Sequence, residues 1–412
     1  MVDINGERLL ASLQELGRIG ALAGGGVCRL ALTDEDKLGR DWVVARMRAL
    51  GMAVSIDGIG NVVGTHAGAQ AGPPVMTGSH IDTVRTGGLY DGNYGVLAGL
   101  EVVQALQDAG IRTAKPIAVA FFTNEEGARF APDMMGSLVF QGDLPLEDAL
   151  RVNGIDGTTV GENLRRIGYC GSAPVGSARV DSYVELHIEQ GPVLDLEGVA
   201  IGAVEGVQGI SWTRFALAGV SNHAGTTPMR LRRDAGLVAA RIACFARDLA
   251  RELGGNQVAT VGSMNFLPNL VNVIPNRVTF TVDLRNTDEA LLAAAEQRLW
   301  AYADEAARDE GVELTRESLA RFEPVDFDPR LVDLVERTAR DLGLSVRRLP
   351  SGAGHDAQML ARMCPAGMIF VPSVGGLSHN VREHTEPEDL VAGARVLLRV
   401  LLELAGEAEA AG

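Results

Sequence analysis

Short apolar runs that end in polar clusters recur along the chain. PVMTGSHIDTV (74–84), KPIAVAFFTNEEG (115–127), DSYVELHIEQG (181–191) and AGMIFVPSVGG (366–376) share this form. Consecutive rather than alternating apolar positions predict strands buried on both faces, the habit of a parallel sheet. Between the first two runs, YGVLAGLEVVQALQDAG has helical periodicity and stops at Gly110. Buried strands alternating with helices predict an α/β layer with a largely parallel sheet and helices on both faces. Such sheets bind ligands outside the carboxyl ends of their strands, where the polar clusters fall. One cluster would be an ordinary strand-to-loop transition. Four carrying His, Asp and Glu point to a site.

The pattern changes in two places. Residues 4–50 predict helices joined by a Gly-rich loop, Ala23 to Gly26, followed by short strands around Met52–Asp57 and Asn61–Thr65. From about 210 to 322, ISWTRFALAGVS alternates, RRDAGLVAARIACFARDLAREL is an amphipathic helix, and QVATVGSMNF and VNVIPNRVTFTVDLRN read as strands. A second long helix covers 288–310. This βαββαβ-like order predicts a compact α+β insert on one small sheet. The α/β pattern resumes with a helix at 329–342. The larger domain is then discontinuous (1–208 and 323–412), the insert is 209–322, and hinges fall near 208 and 323. Two domains are what 412 residues lead one to expect. No internal repeat stands out, and low complexity is confined to an Ala/Glu-rich tail at 403–412.

Composition narrows the partners. A formal charge of -16, from 37 basic and 53 acidic side chains, argues against nucleic acid and anionic membranes. An anionic substrate would need a local arginine to overcome that background. Cys28, Cys170, Cys244 and Cys364 lie far apart with no CxxC pair, as free thiols in a reducing compartment would. The first residues lack a basic stretch followed by an apolar core, and no apolar run approaches the roughly 20 residues that span a bilayer. A cytoplasmic location is the expectation.

Five of the seven histidines fall in polar clusters: His80, His187, His223, His355 and His379. A lone histidine is more often structural than a ligand. Here His80 stands in GSHIDTV, Asp91 in GLYDGNYG, Glu125 and Glu126 in TNEEGARF, His187 in HIEQG and His379 in GLSHNVREHT. Imidazoles and carboxylates together suit zinc, manganese or cobalt. Two such ions need a bridge; Asp91, with glycines close by, suits that role. Adjacent Glu125 and Glu126 diverge at a strand end, so one can bind metal while the other faces the substrate water. Asp82 would point to the same side as His80 and could orient that ring.

In this order GSHIDTV, YDG, NEEG, HIEQGPVL, SNHAGTTPM, SGAGHDAQ and GLSHN resemble the amidase/hydantoinase/carbamoylase group of the dinuclear metallopeptidase and aminoacylase superfamily. The likeness runs from about residue 30 to 400, and HIEQG with SNHAGTTPM marks this branch. It implies two divalent ions per subunit (Zn, Mn or Co). His80 and Glu126 would ligate separate ions, Asp91 would bridge, and His187 and His379 would supply the remaining ligands. Glu125 would be the general base that takes a proton from a metal-bridging water and passes it to the leaving nitrogen. His384, five residues past His379, is a rival ligand that the SHN pattern disfavours.

The same resemblance implies substrate contacts. Arg285 would clamp a carboxylate, a task for which a planar guanidinium is suited. His223 would stabilise the oxyanion, and Asn272, Gln190 and His355 would make further polar contacts. The insert would serve as a lid and dimerisation domain of a homodimer, and closure of the two domains would assemble the site. Tyr90, and Val-Arg-Glu at 381–383, depart from the runs typical of relatives. The expected reaction is cleavage of the carbamoyl C–N bond of an N-carbamoyl-L-amino acid. Allantoate or β-ureidopropionate hydrolysis is the alternative. A dipeptidase or N-acyl amino acid deacylase is a further one, disfavoured by HIEQG. A metal-free scaffold would have lost a ligand, yet all five positions and the base are present.

Overall fold

The computed structural model describes residues 2–176 and 178–408. Residues 409–412 of the Ala/Glu-rich tail lie outside that range; the stretch before them ends the helix Pro387–Ala405. The chain divides into two compact units, Met1–Gly206 with Asp326–Gly412, and Val207–Val325.

The first unit is built on a nine-stranded sheet. In chain order its strands are β1 (Ala53–Ile56), β2 (Val62–His66), β3 (Val75–His80), β4 (Ile117–Phe122), β5 (Ser182–Ile188) and β6 (Ile201–Val207). The second unit contributes β7 (Gly209–Ala218), β8 (Val258–Leu267), β9 (Arg277–Asn286) and β10 (Glu313–Phe322) to a sheet of its own. The chain then adds β11 (Val325–Asp326), β12 (Val346–Ser351) and β13 (Ala366–Val371) to the larger sheet. The spatial order there is β1-β2-β4-β3-β5-β13-β6-β11, with β12 paired to β6. The middle pairs β4–β3, β3–β5 and β5–β13 are parallel, whereas β1–β2, β2–β4 and β13–β6 are antiparallel. The parallel block is thus the set of four apolar runs singled out in the sequence. All four strands are buried along their whole length. A fully buried Val, Leu, Ile or Phe side chain contributes about 1.5–3 kcal/mol, so this block forms the hydrophobic centre of the unit.

The helix Asn93–Asp108 lies on this block, and its glycines explain how closely. A Cβ on Gly95 would stand 2.4 Å from the Leu186 carbonyl, and one on Gly99 would stand 2.8 Å from Thr77 Cγ2. Small residues therefore seat the start of the helix directly on β3 and β5. The buried Glu101 on the same helix is held by Arg8 through two hydrogen bonds of 2.7 and 2.8 Å.

The second unit has a four-stranded sheet in the order β10-β7-β9-β8, all pairs antiparallel. The helices Ala235–Leu253 and Glu289–Glu310 share a core with it that includes Phe215, Ile242, Phe280 and Leu299. Phe215 and Phe280 stack with centroids 5.2 Å apart. The strand expected to start at Val271 begins instead at Arg277. Pro275 has no N–H to give to a ladder, and residues 270–272 form an exposed loop.

Candidate functional site

Polar residues collect at the carboxyl ends of the four parallel strands. β3 ends on His80, β4 runs into Thr123–Glu126, β5 carries His187 near its end, and the loop after β13 carries His379. Asp91 comes from the turn between β3 and the helix Asn93–Asp108. Gly92 is required there twice over. Its φ is 67°, in the left-handed region, and a Cβ would lie 2.4 Å from the His80 ring.

The Asp91 carboxylate joins two groups of side chains. Its Oδ1 lies 3.3 Å from His187 Nε2 and 3.6 Å from His80 Nε2. Its Oδ2 lies 3.4 Å from His379 Nε2, which is 3.2 Å from Glu126 Oε2. His80–Asp91–His187 and Asp91–Glu126–His379 are each compact enough to hold a metal ion. His80 Nδ1 meets the Asp82 carbonyl at 2.9 Å, and His187 Nδ1 meets the Ile188 carbonyl at 2.8 Å. A carbonyl only accepts, so both rings carry their proton on Nδ1 and turn Nε2 inward as the ligating atom. His379 differs: its side chain is 52% exposed, its φ is 53°, and it forms the rim of the group. Left-handed backbone outside glycine also occurs at Asn124 and Gln190, beside Glu125 and Glu189. Strain of this kind collects where a site dictates the backbone.

Electrostatics show what the group lacks. Burial alone would lift the Asp91 carboxyl, but His187, His379 and His80 hold it well below its ordinary range. Burial pulls His80 down, yet Glu125, Asp91 and Asp82 outweigh it and raise the imidazole well above its usual value. Hydrogen bonds to Asp91 and Glu126 lift His379 to about 10. The carboxylates thus demand positive charge, and without an ion the imidazoles must supply it. Glu126 Oε1 is buried and has no hydrogen-bond partner among the described residues. An orphaned carboxylate oxygen in a set of imidazole and carboxylate donors fits divalent cations.

Glu125 lies at the edge of the same group, with Oε2 3.4 Å from His80 Nε2. Burial pushes its carboxyl well above the usual range; His80 opposes this, while Asp356, Glu126 and Asp91 add to it. A raised carboxyl beside a polarised water can take a proton and return it. The Asp82 carboxylate, expected to orient His80, points elsewhere. It accepts from the Glu125 and Glu126 N–H groups at 3.3 and 3.4 Å, while its backbone carbonyl holds the ring.

The remaining expected residues divide. Gln190 joins the group, its Nε2 donating to Asp91 Oδ2 at 3.0 Å. His355 sits behind it: the ring is 1% exposed, meets Ser351 Oγ at 2.9 Å and packs on His187 with centroids 4.6 Å apart. That places it as a support for His187 rather than on an open face. His384 turns to Glu386 and joins none of the metal-type groups among the described residues, whereas His379 joins Asp91 and Glu126. Tyr90 lies beside His384, with ring centroids 6.5 Å apart. In the second unit His223 and Asn272 are exposed on facing segments, with His223 bridged to Val273 and the Ala224 N–H donating to the Asn272 carbonyl at 2.9 Å. Arg285 is partly buried and pairs with Asp283, two residues back on the same face of β9, at 2.9 Å.

Two buried residues escaped the sequence reading. Among the described residues Arg29 has no ion-pair partner; it donates to the carbonyls of Leu16, Ile19 and Ile81 and to Asn93 Oδ1. It thereby ties the segment after His80 to the helix start after Asp91. Burial lowers it to about 10. Glu383 accepts from the Tyr90 and Asp91 N–H groups. Arg29 is not a metal-binding residue type, and Glu383 lies in GLSHNVREHT, of which only the histidines were weighed as ligands. The signal for Glu383 was its place four residues past His379 in that run.

Residues 76–403 match peptidase family M20/M25/M40. An N-carbamoyl-L-amino-acid amidohydrolase of Rhizobium meliloti is 44% identical over 403 residues, covering 98% of this chain and 97% of that protein. An allantoate amidohydrolase of Bacillus subtilis is 36% identical over 396 residues, covering 95% and 96%. The crystal structure of an amidase of the hydantoinase/carbamoylase family from Burkholderia multivorans superposes with a TM-score of 0.96 at 47% identity, covering 98% of both chains.

Proposed function

The chain belongs to peptidase family M20/M25/M40, among its hydantoinase/carbamoylase amidases, and from that premise we propose that it hydrolyses the carbamoyl C–N bond of N-carbamoyl-L-amino acids. The observation that carries this reading is the Asp91 carboxylate shared between two groups of ligand-type side chains. His80, Asp91 and His187 would hold one divalent ion, and Asp91, Glu126 and His379 a second. Bound there, the ions would acidify water and polarise the ureido carbonyl. Zinc, manganese and cobalt all suit these donors.

The chain's own groups supply the rest. Glu125 takes the proton of the attacking water and delivers it to the leaving nitrogen, which departs as ammonia; the carbamate left behind breaks down to carbon dioxide and the amino acid. Asp82 fixes the Glu125–Glu126 backbone through its carboxylate. Gln190 donates to Asp91 Oδ2. For the second unit the proposed roles are recognition of the substrate carboxylate by Arg285, of the oxyanion by His223, and of a polar group by Asn272. Asp283 keeps the Arg285 fork oriented. The lid and dimerisation roles of this unit belong to the same proposal. In favour of a homodimer, β8 is an outer strand of its sheet, and Val258, Leu267, Leu270 and Val271 are exposed along it and the loop that follows. Four free cysteines fit the cytoplasm.

The test is a panel of N-carbamoyl-L-amino acids, allantoate, β-ureidopropionate and dipeptides, assayed after reconstituting metal-free protein with manganese, zinc or cobalt. Highest kcat/KM on an N-carbamoyl-L-amino acid is the expected result. Preference for allantoate would move the chain to the activity carried by its Bacillus subtilis relative. Preference for a dipeptide would overturn the reading.

A further inference from the structure

We propose that Glu383 is a positioning residue that builds the Asp91–Glu126–His379 group by tying the turn that carries Asp91 to the loop that carries His379. The inference rests on the dinuclear reading above and concerns what makes the rim half of that site form.

Glu383 is 6% exposed and uses both oxygens. Oε1 accepts from the Tyr90 N–H at 3.1 Å and the Asp91 N–H at 3.2 Å. Oε2 lies 3.3 Å from Ser378 Oγ, and Ser378 Oγ lies 3.2 Å from Asp91 Oδ2. A hydroxyl has one proton to donate. When a cation takes Asp91 Oδ2, that proton can pass to Glu383, so the Ser378 link survives occupancy. Ser378 adjoins His379, and Asp91 Oδ2 is the oxygen that faces the His379 ring. One buried carboxylate thus sets the spacing between the bridging residue and the rim histidine.

The surroundings are shaped for this carboxylate. A Cβ on Gly88 would stand 1.9 Å from Glu383 Oε1. The glycine before Leu89 is therefore the space Glu383 occupies, although the φ of Gly88 is not in the left-handed region. Glu383 is itself pinned by the bond from its N–H to the Asn380 carbonyl at 2.9 Å. Val381 packs against the backbone of Gly26, where a Cβ would lie 2.8 Å from Val381 Cα. The other group, His80–Asp91–His187, draws its imidazoles from β3 and β5, and Asp91 is its member hydrogen-bonded to Glu383. Loss of Glu383 should therefore act on the two groups unequally.

A residue that only caps a turn would weaken the fold and both ions together. The experiment titrates manganese alone into metal-free protein by calorimetry, with thermal unfolding followed in parallel. The unaltered protein should bind two ions. Glu383→Ala should keep one and bind the second at least about tenfold more weakly, the range expected when a group supporting a ligand is removed. Glu383→Gln keeps an acceptor oxygen for the two N–H groups and should restore the second ion to within a few-fold. Gly88→Ala, which displaces the carboxylate without removing it, should reproduce the selective loss and serves if Glu383→Ala does not fold. Two ions bound as tightly in Glu383→Ala or Gly88→Ala as in the unaltered protein would overturn the proposal. So would equal weakening of both ions. Failure of the unaltered protein to bind two ions would instead reject the dinuclear reading beneath it.

Discussion

In the first unit His80, Asp82, Asp91 and His187 are buried and each is fixed by a named contact, whereas in the second His223 and Asn272 are exposed and Arg285 is engaged by Asp283. The contrast separates two kinds of chemistry. Ligands for an ion must be held at fixed spacing before it arrives, and burying them together concentrates negative charge that only a cation relieves. Groups that recognise a substrate can stay solvated until it is present. The first unit should therefore bind metal with the second impaired, while turnover should need both.

The widest separation comes from Asp91→Ala. It should remove both ions, measured as metal content, and reduce turnover to background while the second unit stays folded. Retention of two ions would mean that Asp91 is no bridge. Glu125→Gln is the next step down: kcat should fall about 10²–10⁴-fold, the usual contribution of a general base, with metal content unchanged. If that variant keeps most of its activity, the base lies elsewhere. In the second unit Arg285→Lys should raise KM by about tenfold as the fork is replaced by a point charge, with kcat and metal binding little altered. An unaltered KM would remove Arg285 from the carboxylate role.

The smallest effect concerns pH. In the metal-free protein Asp91 and Glu126 hold His379 at about 10, against an ordinary value of 6.5. Between those values the folded chain binds more protons at this ring than the unfolded chain. Its stabilisation is complete below about 6.5 and is lost as pH rises towards 10. A bound ion displaces the proton, so the rise in Tm on adding manganese should grow with pH across that window. A metal-induced rise that shrinks with pH would contradict the arrangement around His379.

The sequence revealed the parts of this site that depend on local pattern. Four apolar runs ending in polar clusters foretold parallel strands and the end at which site residues would gather, because open α/β sheets place their sites outside the carboxyl ends of their strands. The glycines beside Asp91 pointed to a close approach to metal; in the structure Gly92 lies against the His80 ring. Contacts between distant segments were not legible. Arg29 bonds mainly to carbonyls, which any sequence offers, and Glu383 reads as one more acidic residue until Gly88 is seen beside it. For Asp82 the spacing from His80 was read as a side-chain contact, but the loop turns so that the carbonyl meets the ring. The resemblance implied that His355 makes a polar contact to substrate, and the structure encloses its ring behind His187.

The most direct test of the two-ion arrangement is anomalous diffraction from crystals of the manganese-loaded protein. Two peaks roughly 3.5–4 Å apart, on either side of the Asp91 carboxylate, are the expected result. A single peak, or peaks with Asp91 outside coordination distance of either one, would contradict it.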